Sequence, residues 1–326
     1  MKIRKWLARA FAILLSVTAF WLVGCGGNQA ASSSKNEDGS ESVPQSESSA
    51  DSGLENGDEP SQETHWGDDG VLKILTIGNS FSCDTMQWLY PIAQSAGVEK
   101  MYLGNLDSTG FSLSNHLIHA QGNIAKHIYH TNENGVWSVQ QNYLLNDAVA
   151  SQDWDFISFQ QASGSSGQPD TYAFLQKLMD HVRPLCPNAK FVWNMTWAYQ
   201  ADSNHSAFVN YKNDQAQMYK AITRTVQAKV LPNEEIVAII PNATSIQNAR
   251  TSYLGDTLTR DGYHLTYDVG RYIAGLTFFH ALTGIDISDL SYAPDGVNEK
   301  ARKMSIESAI NAVKNPYEVT PSQYTE

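Results

Sequence analysis

The chain has 326 residues, 34 of them acidic against 22 Lys and Arg, giving a formal charge of −12, and 42% of it is hydrophobic. An acidic chain without a basic run is a poor partner for nucleic acid, whose phosphates require a positive surface. Three cysteines make no disulfide framework, and the sequence lacks the glycine spacing of a dinucleotide or phosphate loop, so no nucleotide, flavin or other cofactor is expected.

The N-terminus places Lys2, Arg4, Lys5 and Arg9 before an apolar run from Ala10 to Val23. That run is shorter than the roughly 20 residues of a spanning helix, and the pattern has the form of a secretory signal. Leu22-Val23-Gly24-Cys25 resembles the lipobox of bacterial lipoproteins. The resemblance implies that Cys25 is lipidated and holds the protein on the cell envelope, facing outside the cytoplasm. Residues 26–70 carry eleven acidic residues against Lys35 alone and scarcely any large apolar side chain. Such a segment cannot offset its chain entropy by burial, and it is expected to be a disordered acidic tether.

From Val71 to Glu326 apolar and polar segments alternate as in one α/β domain. Strands are predicted at Val71 to Ile77, Met101 to Leu103, Phe156 to Phe159, Lys190 to Met195 and Glu235 to Ile240. Helices are predicted near Thr85 to Ser95, Ser112 to Ala120, Leu144 to Ser151, Thr171 to Val182, Tyr211 to Val230, Asp268 to Leu282 and after Asn298. This succession predicts a three-layer α/β/α sandwich around a parallel sheet. Between Lys126 and Asn142 the pattern alternates about Asn132-Glu133-Asn134-Gly135, which reads as an inserted β-hairpin because Asn-Gly suits a left-handed turn. Cys83 reads as a small buried residue and a bridge between Cys83 and Cys186 is left open. The pairs His116/His119 and His127/His130 have no carboxylate or thiol partner at a recognised spacing, so no metal is expected.

Two distant segments carry complementary chemistry. ILTIGNSFS, residues 74–82, is an apolar strand that breaks at Gly78 and Asn79 and presents Ser80 where a helix begins. RDGYHLT, residues 260–266, holds Asp261 three residues before His264. A serine hydroxyl is a weak nucleophile until a base takes its proton, and an aspartate beside the base fixes the imidazole's tautomer. Ser80, His264 and Asp261 are therefore the candidate nucleophile, base and orienting carboxylate.

The order of these blocks resembles the SGNH or GDSL hydrolase superfamily, over most of the chain from Val71 onward. It departs from that pattern in two places: Gly-Asn-Ser-Phe stands for Gly-Asp-Ser-Leu, and no Gly-x-Asn-Asp block follows the middle strand. The resemblance implies a flavodoxin-like sandwich and an acyl-enzyme formed on Ser80. It also implies an oxyanion hole built from the Ser80 N–H, Gly110 and a side-chain amide after the middle strand, here Gln160 with Gln161 in reserve. Trp137, Trp197 and Tyr199, near loops and strand ends, are candidates for stacking on sugar rings, whereas Trp193 reads as core. The expected activity is an extracytoplasmic serine esterase that removes O-acetyl groups from carbohydrate, with a small ester as the simpler substrate. A non-catalytic glycan-binding lipoprotein and an acyltransferase with the same triad are the alternatives.

Overall fold

The computed structural model describes residues 66–67 and 69–326. The expected signal segment with Cys25, and nearly all of the expected acidic tether 26–70, lie outside the described residues. Seven strands form one sheet in the order β4-β3-β2-β1-β5-β6-β7. β1 (Leu72–Gly78), β2 (Met101–Asp107), β5 (Phe156–Phe159), β6 (Lys190–Asn194) and β7 (Ile236–Ile240) run parallel. β3 (His127–Glu133) and β4 (Val136–Tyr143) are the inserted hairpin, which adds two antiparallel strands to the β2 edge. Its two-residue turn is Asn134-Gly135, with φ of 50° and 91°, the left-handed pair such a turn requires.

Helices cover both faces because the parallel strands are apolar on both. Along β1, Leu72 and Ile74 enter one buried cluster while Leu75 and Ile77 enter the other. The first face is covered by α1 (Ser80–Met86), α2 (Leu89–Ser95), α8 (Val269–Thr283) and α9 (Glu299–Lys314); the second is covered by α3 (Leu113–Gln121), α4 (Leu145–Ala150), α5 (Leu175–Val182) and α6 (Gln215–Lys229). The three-layer sandwich thus has the expected form. Among the described residues no helix is long and apolar enough to cross a membrane.

Four elements differ from expectation, each for a local reason. The helix expected from Thr85 begins at Ser80 and is broken at Gln87 and Trp88. Pro91 has no N–H and its ring collides with the carbonyl four residues back, so one continuous helix cannot run through it. β2 extends to Asp107 because strands on both sides pair with it, despite Gly104 and Asn105. A Cβ at Gly104 would sit 2.7 Å from Trp154. The start of the expected Tyr211 helix is a 3₁₀ turn that ends at Lys212 and Asn213, both left-handed, and Asp214 then caps α6. α7 (Asn242–Ala249) has only a short apolar stripe of small residues with one isoleucine, Ala243, Ile246 and Ala249, and was not expected. Its polar residues are buried as well, with Thr244 donating to the Pro316 carbonyl and Asn248 to that of Ser308.

Candidate active site

Ser80 lies just beyond the carboxyl end of β1, the edge where ligands bind in open parallel sheets. Asn79 caps α1: its side-chain oxygen accepts from the Phe81 N–H at 3.1 Å, and its amide donates to the Phe111 carbonyl at 3.1 Å. Asn79 therefore fixes the residue next to it from two directions. The Ser80 hydroxyl is 2.8 Å from His264 Nε2, and His264 Nδ1 is 2.6 Å from Asp261 Oδ2. The three side chains, nearly the whole domain apart in sequence, form one line of hydrogen bonds.

The turn carrying Asp261 and His264 is built to be rigid. Asp261 Oδ1 accepts from the backbone N–H groups of Tyr263 and His264 at 3.2 and 2.8 Å, an Asx turn that leaves Oδ2 for the imidazole. Gly262 adopts φ +90°, and a Cβ there would lie 3.0 Å from Ser203. The Trp197 indole donates to the Tyr263 carbonyl at 2.7 Å, and the Gln200 N–H donates to that of Gly262 at 2.8 Å. Partial burial works to raise the Asp261 carboxyl, but the hydrogen bonds from the His264 ring and backbone outweigh it and hold it below the usual carboxylate range. An ionised Asp261 obliges Nδ1 to carry a proton, so Nε2 is free to accept one from Ser80.

A fourth charged residue links the two halves. Asp84, fully buried and one helical turn after Ser80, accepts from the Leu265 N–H at 2.8 Å. Its other oxygen meets Arg260 at 3.2 Å and Arg271 at 2.5 Å. Asp84 thereby ties the helix bearing Ser80 to both sides of the His264 turn and to α8. The Asp84 signal in the sequence is weak: a single acid at helical spacing from Ser80, whose partners lie about 180 residues away.

The expected oxyanion and substrate residues fare differently. Gly110 sits exposed in a turn over Ser108–Phe111 at φ +68°, with open space around its α-carbon. Gln160 and Gln161 are both buried and bonded to protein groups. Gln160 Nε2 donates to Asn79 Oδ1 at 2.9 Å and its Oε1 accepts from Asn194 at 3.1 Å. Gln161 accepts from the Leu113 N–H and donates to Thr171. Neither amide lines the cleft: Gln160 braces the residue before Ser80 from below, and Gln161 joins α3 to the 3₁₀ turn before α5.

The three aromatic positions also require correction. Trp197 is fully buried and stacks on Phe81 with ring centroids 4.4 Å apart, supporting the triad turn from behind. Tyr199 is equally buried and shares a hydrogen bond with Ser163 at 2.8 Å. Trp137 lies on β4 opposite Asn132, at the hairpin-turn end of the sheet and away from Ser80, where it packs on the core beneath α2. Alternation and large size bring aromatics into a core as readily as into a cleft. The partly exposed rings beside His264 are Tyr263, at 4.3 Å, and His205, 4.7 Å from Tyr263. Tyr263 was visible inside the Asp261-x-x-His264 block. Cys83 and Cys186 are buried and not bridged to each other.

A solved structure of a DUF4886 family protein from Bacteroides uniformis is 37% identical, with a TM-score of 0.74 over 77% of this chain and 97% of that one. A candidate SGNH hydrolase from Slackia heliotrinireducens is 18% identical with a TM-score of 0.41, over 65% of this chain and 99% of that one. A carbohydrate esterase family 3 protein from Talaromyces cellulolyticus is 13% identical with a TM-score of 0.43, over 65% and 96%. No curated protein matches by sequence. Ser80 after β1 and Asp261-x-x-His264 just before α8 stand in the order of the SGNH pattern that the sequence resembles. The domain of unknown function DUF4886 matches residues 73–312, and the chain belongs to that family.

Proposed function

We propose that the protein is a serine esterase that removes O-acetyl groups from carbohydrate while tethered to the envelope by lipid on Cys25. The observation that carries this reading is the unbroken line Ser80 Oγ, His264 Nε2, His264 Nδ1, Asp261 Oδ2, with contacts of 2.8 and 2.6 Å. In this mechanism His264 takes the Ser80 proton as Oγ attacks the ester carbon. It then returns that proton to the leaving alcohol, and Asp261 steadies the imidazolium between the two steps. The tetrahedral oxygen requires prearranged donors, and the N–H groups of Ser80 and Gly110 fill that role in this reading, each worth about 3 kcal/mol. Water, activated by His264, then releases acetate from Ser80. No step calls for a cofactor.

The carbohydrate part of the reading draws support from the half-exposed Tyr263 and His205 rings beside His264, which suit the face of a sugar. The acidic, weakly apolar segment 26–70 is suited to be an extended spacer between an anchor and the domain. The test is hydrolysis of an activated acetyl ester by the full chain beside Ser80→Ala, followed by acetate release from acetylated glycans. Equal turnover by wild type and Ser80→Ala sinks the esterase. Absence of turnover in folded wild type favours a glycan-binding role. Incorporation of labelled fatty acid that is lost in Cys25→Ser tests the anchor.

A further inference from the structure

The four histidines 116, 119, 127 and 130 regroup in the fold: His116 and His127 share one hydrogen bond and keep one unpartnered ring nitrogen each, whereas His130 has none of its ring nitrogens bonded. His116 and His127 face each other on the α3 side of the sheet, Nδ1 to Nε2 at 3.0 Å, with their rings stacked. Burial, with the neighbouring His119 adding to it, pulls His127 down to about 4, so this pair is neutral and one ring donates to the other. His130 lies on the opposite face. It is 5% exposed, and neither of its ring nitrogens has a hydrogen-bond partner. Asp107 Oδ1 is likewise buried and unpartnered, and Asp107 Oδ2 is 3.9 Å from His130 Nε2, beyond hydrogen-bond reach. Leaving such groups unsatisfied costs about 1–3 kcal/mol each.

The sheet register explains why these residues meet. His130 is the direct partner of Asn105 across β2 and β3, and Asp107 is two residues further along β2, so all three share a face. Cys83, on α1, packs over that face. One ligand atom each from Cys83, Asp107 and His130 lies within 4.8 Å of both others. The Asn105 side-chain amide bridges the Ser82 and Thr76 hydroxyls, 2.6 and 2.7 Å away, to Cys83 Sγ at 3.1 Å, while the Ser82 hydroxyl also reaches the Asn79 carbonyl at 2.6 Å. A polar group fixed against the sulfur in this way holds the Cys83 side chain in place, as outer-shell bonds do for metal ligands.

We propose that Cys83, Asp107 and His130 bind one zinc-class divalent cation. Zinc bonds of about 2.0–2.3 Å place the ligand atoms of a tetrahedron roughly 3.3–3.7 Å apart, within small side-chain rotations of the spacing present. A thiolate, a carboxylate and a neutral imidazole balance the +2 charge, and binding releases the thiol proton to solvent. The ion joins the hairpin and β2 to the helix that begins at Ser80, since Cys83 is three residues along α1 and Asp107 pairs with Gly78. It is a clamp beside the proposed nucleophile and stands independently of the esterase reading.

The test strips the purified full chain with a chelator and titrates it with Zn²⁺ and, separately, Co²⁺. One equivalent of zinc with a higher Tm, and a thiolate-to-cobalt charge-transfer band, are expected. Cys83→Ser should abolish the band, and Asp107→Asn and His130→Ala should each weaken binding at least tenfold, while Cys25→Ser, Cys186→Ser and His127→Ala bind as wild type does. The wild-type band needs no variant to fold, so its absence overturns the site outright. Binding that survives Cys83→Ser, or that is lost in His127→Ala and kept in His130→Ala, also overturns it.

Discussion

The two sides of Ser80 are built by different physics. On the His264 side, charge does the positioning: buried Asp84 holds Arg260, Arg271 and the Leu265 N–H, and Asp261 holds the imidazole. On the other side the positioning is by neutral amides, in a buried chain from Asn79 through Gln160 and Asn194 to Asn242. The charged side fixes a proton path, and the amide side fixes the height of α1 beneath it. A buried charge cluster fails steeply when one member is removed, whereas an amide chain loses one hydrogen bond at a time.

The contrast can be tested in order of effect. Ser80→Ala should lower kcat for an activated acetyl ester by about 10⁴-fold or more, because the residues of a triad act as a unit, with an unchanged Tm. Asp84→Asn should destabilise the protein by about 3–5 kcal/mol in chemical denaturation, since Arg271 is left buried beside a neutral group, and should lower kcat more than KM changes. If Asp84→Asn unfolds like wild type, the charged side does not carry the positioning assigned to it. Gln160→Leu should cost only about 1–3 kcal/mol and act on rate through Asn79, so Asn79→Ala in the same background should add little. Independent, additive rate losses in that pair would place Gln160 in the cleft after all.

The smallest effect is a pH effect. The Asp261 carboxyl is held low, so the folded chain binds fewer protons than the unfolded chain in the acid range. Its stabilisation is complete above the unfolded carboxylate value of about 4 and fades as pH falls through the lower folded value. Asp261→Asn should therefore lower Tm at neutral pH and flatten the acid limb, so that the variant converges on wild type as pH falls well below about 4. A profile identical to wild type would remove the carboxylate–imidazole bond from the account.

On the charged side the triad was legible in the sequence, whereas Asp84 and its partners Arg260 and Arg271 were not. Ser80, Asp261 and His264 sit in short blocks whose members are local in sequence, and the alternating strands gave the sandwich and the hairpin. What escaped depends on contacts across the whole chain. Gln160 ends a strand just where a cleft amide would, yet its partners Asn79 and Asn194 lie 81 and 34 residues away and draw it inward. Trp197 and Tyr199 follow a strand as cleft residues do, but the 258–266 turn closes over them and buries both. α7 was hard to see because its apolar stripe is short and mostly alanine, and its buried polar residues rely on Asn194, Ser308 and Pro316 far along the chain.

The central claim is that Ser80 is a nucleophile activated by His264. Treating the full chain with a serine-directed fluorophosphonate and mapping the adduct by mass spectrometry tests it most directly. A single adduct on Ser80, lost in His264→Ala, is the predicted result. A folded protein that takes no adduct, or takes it at another serine with equal yield in His264→Ala, would contradict it.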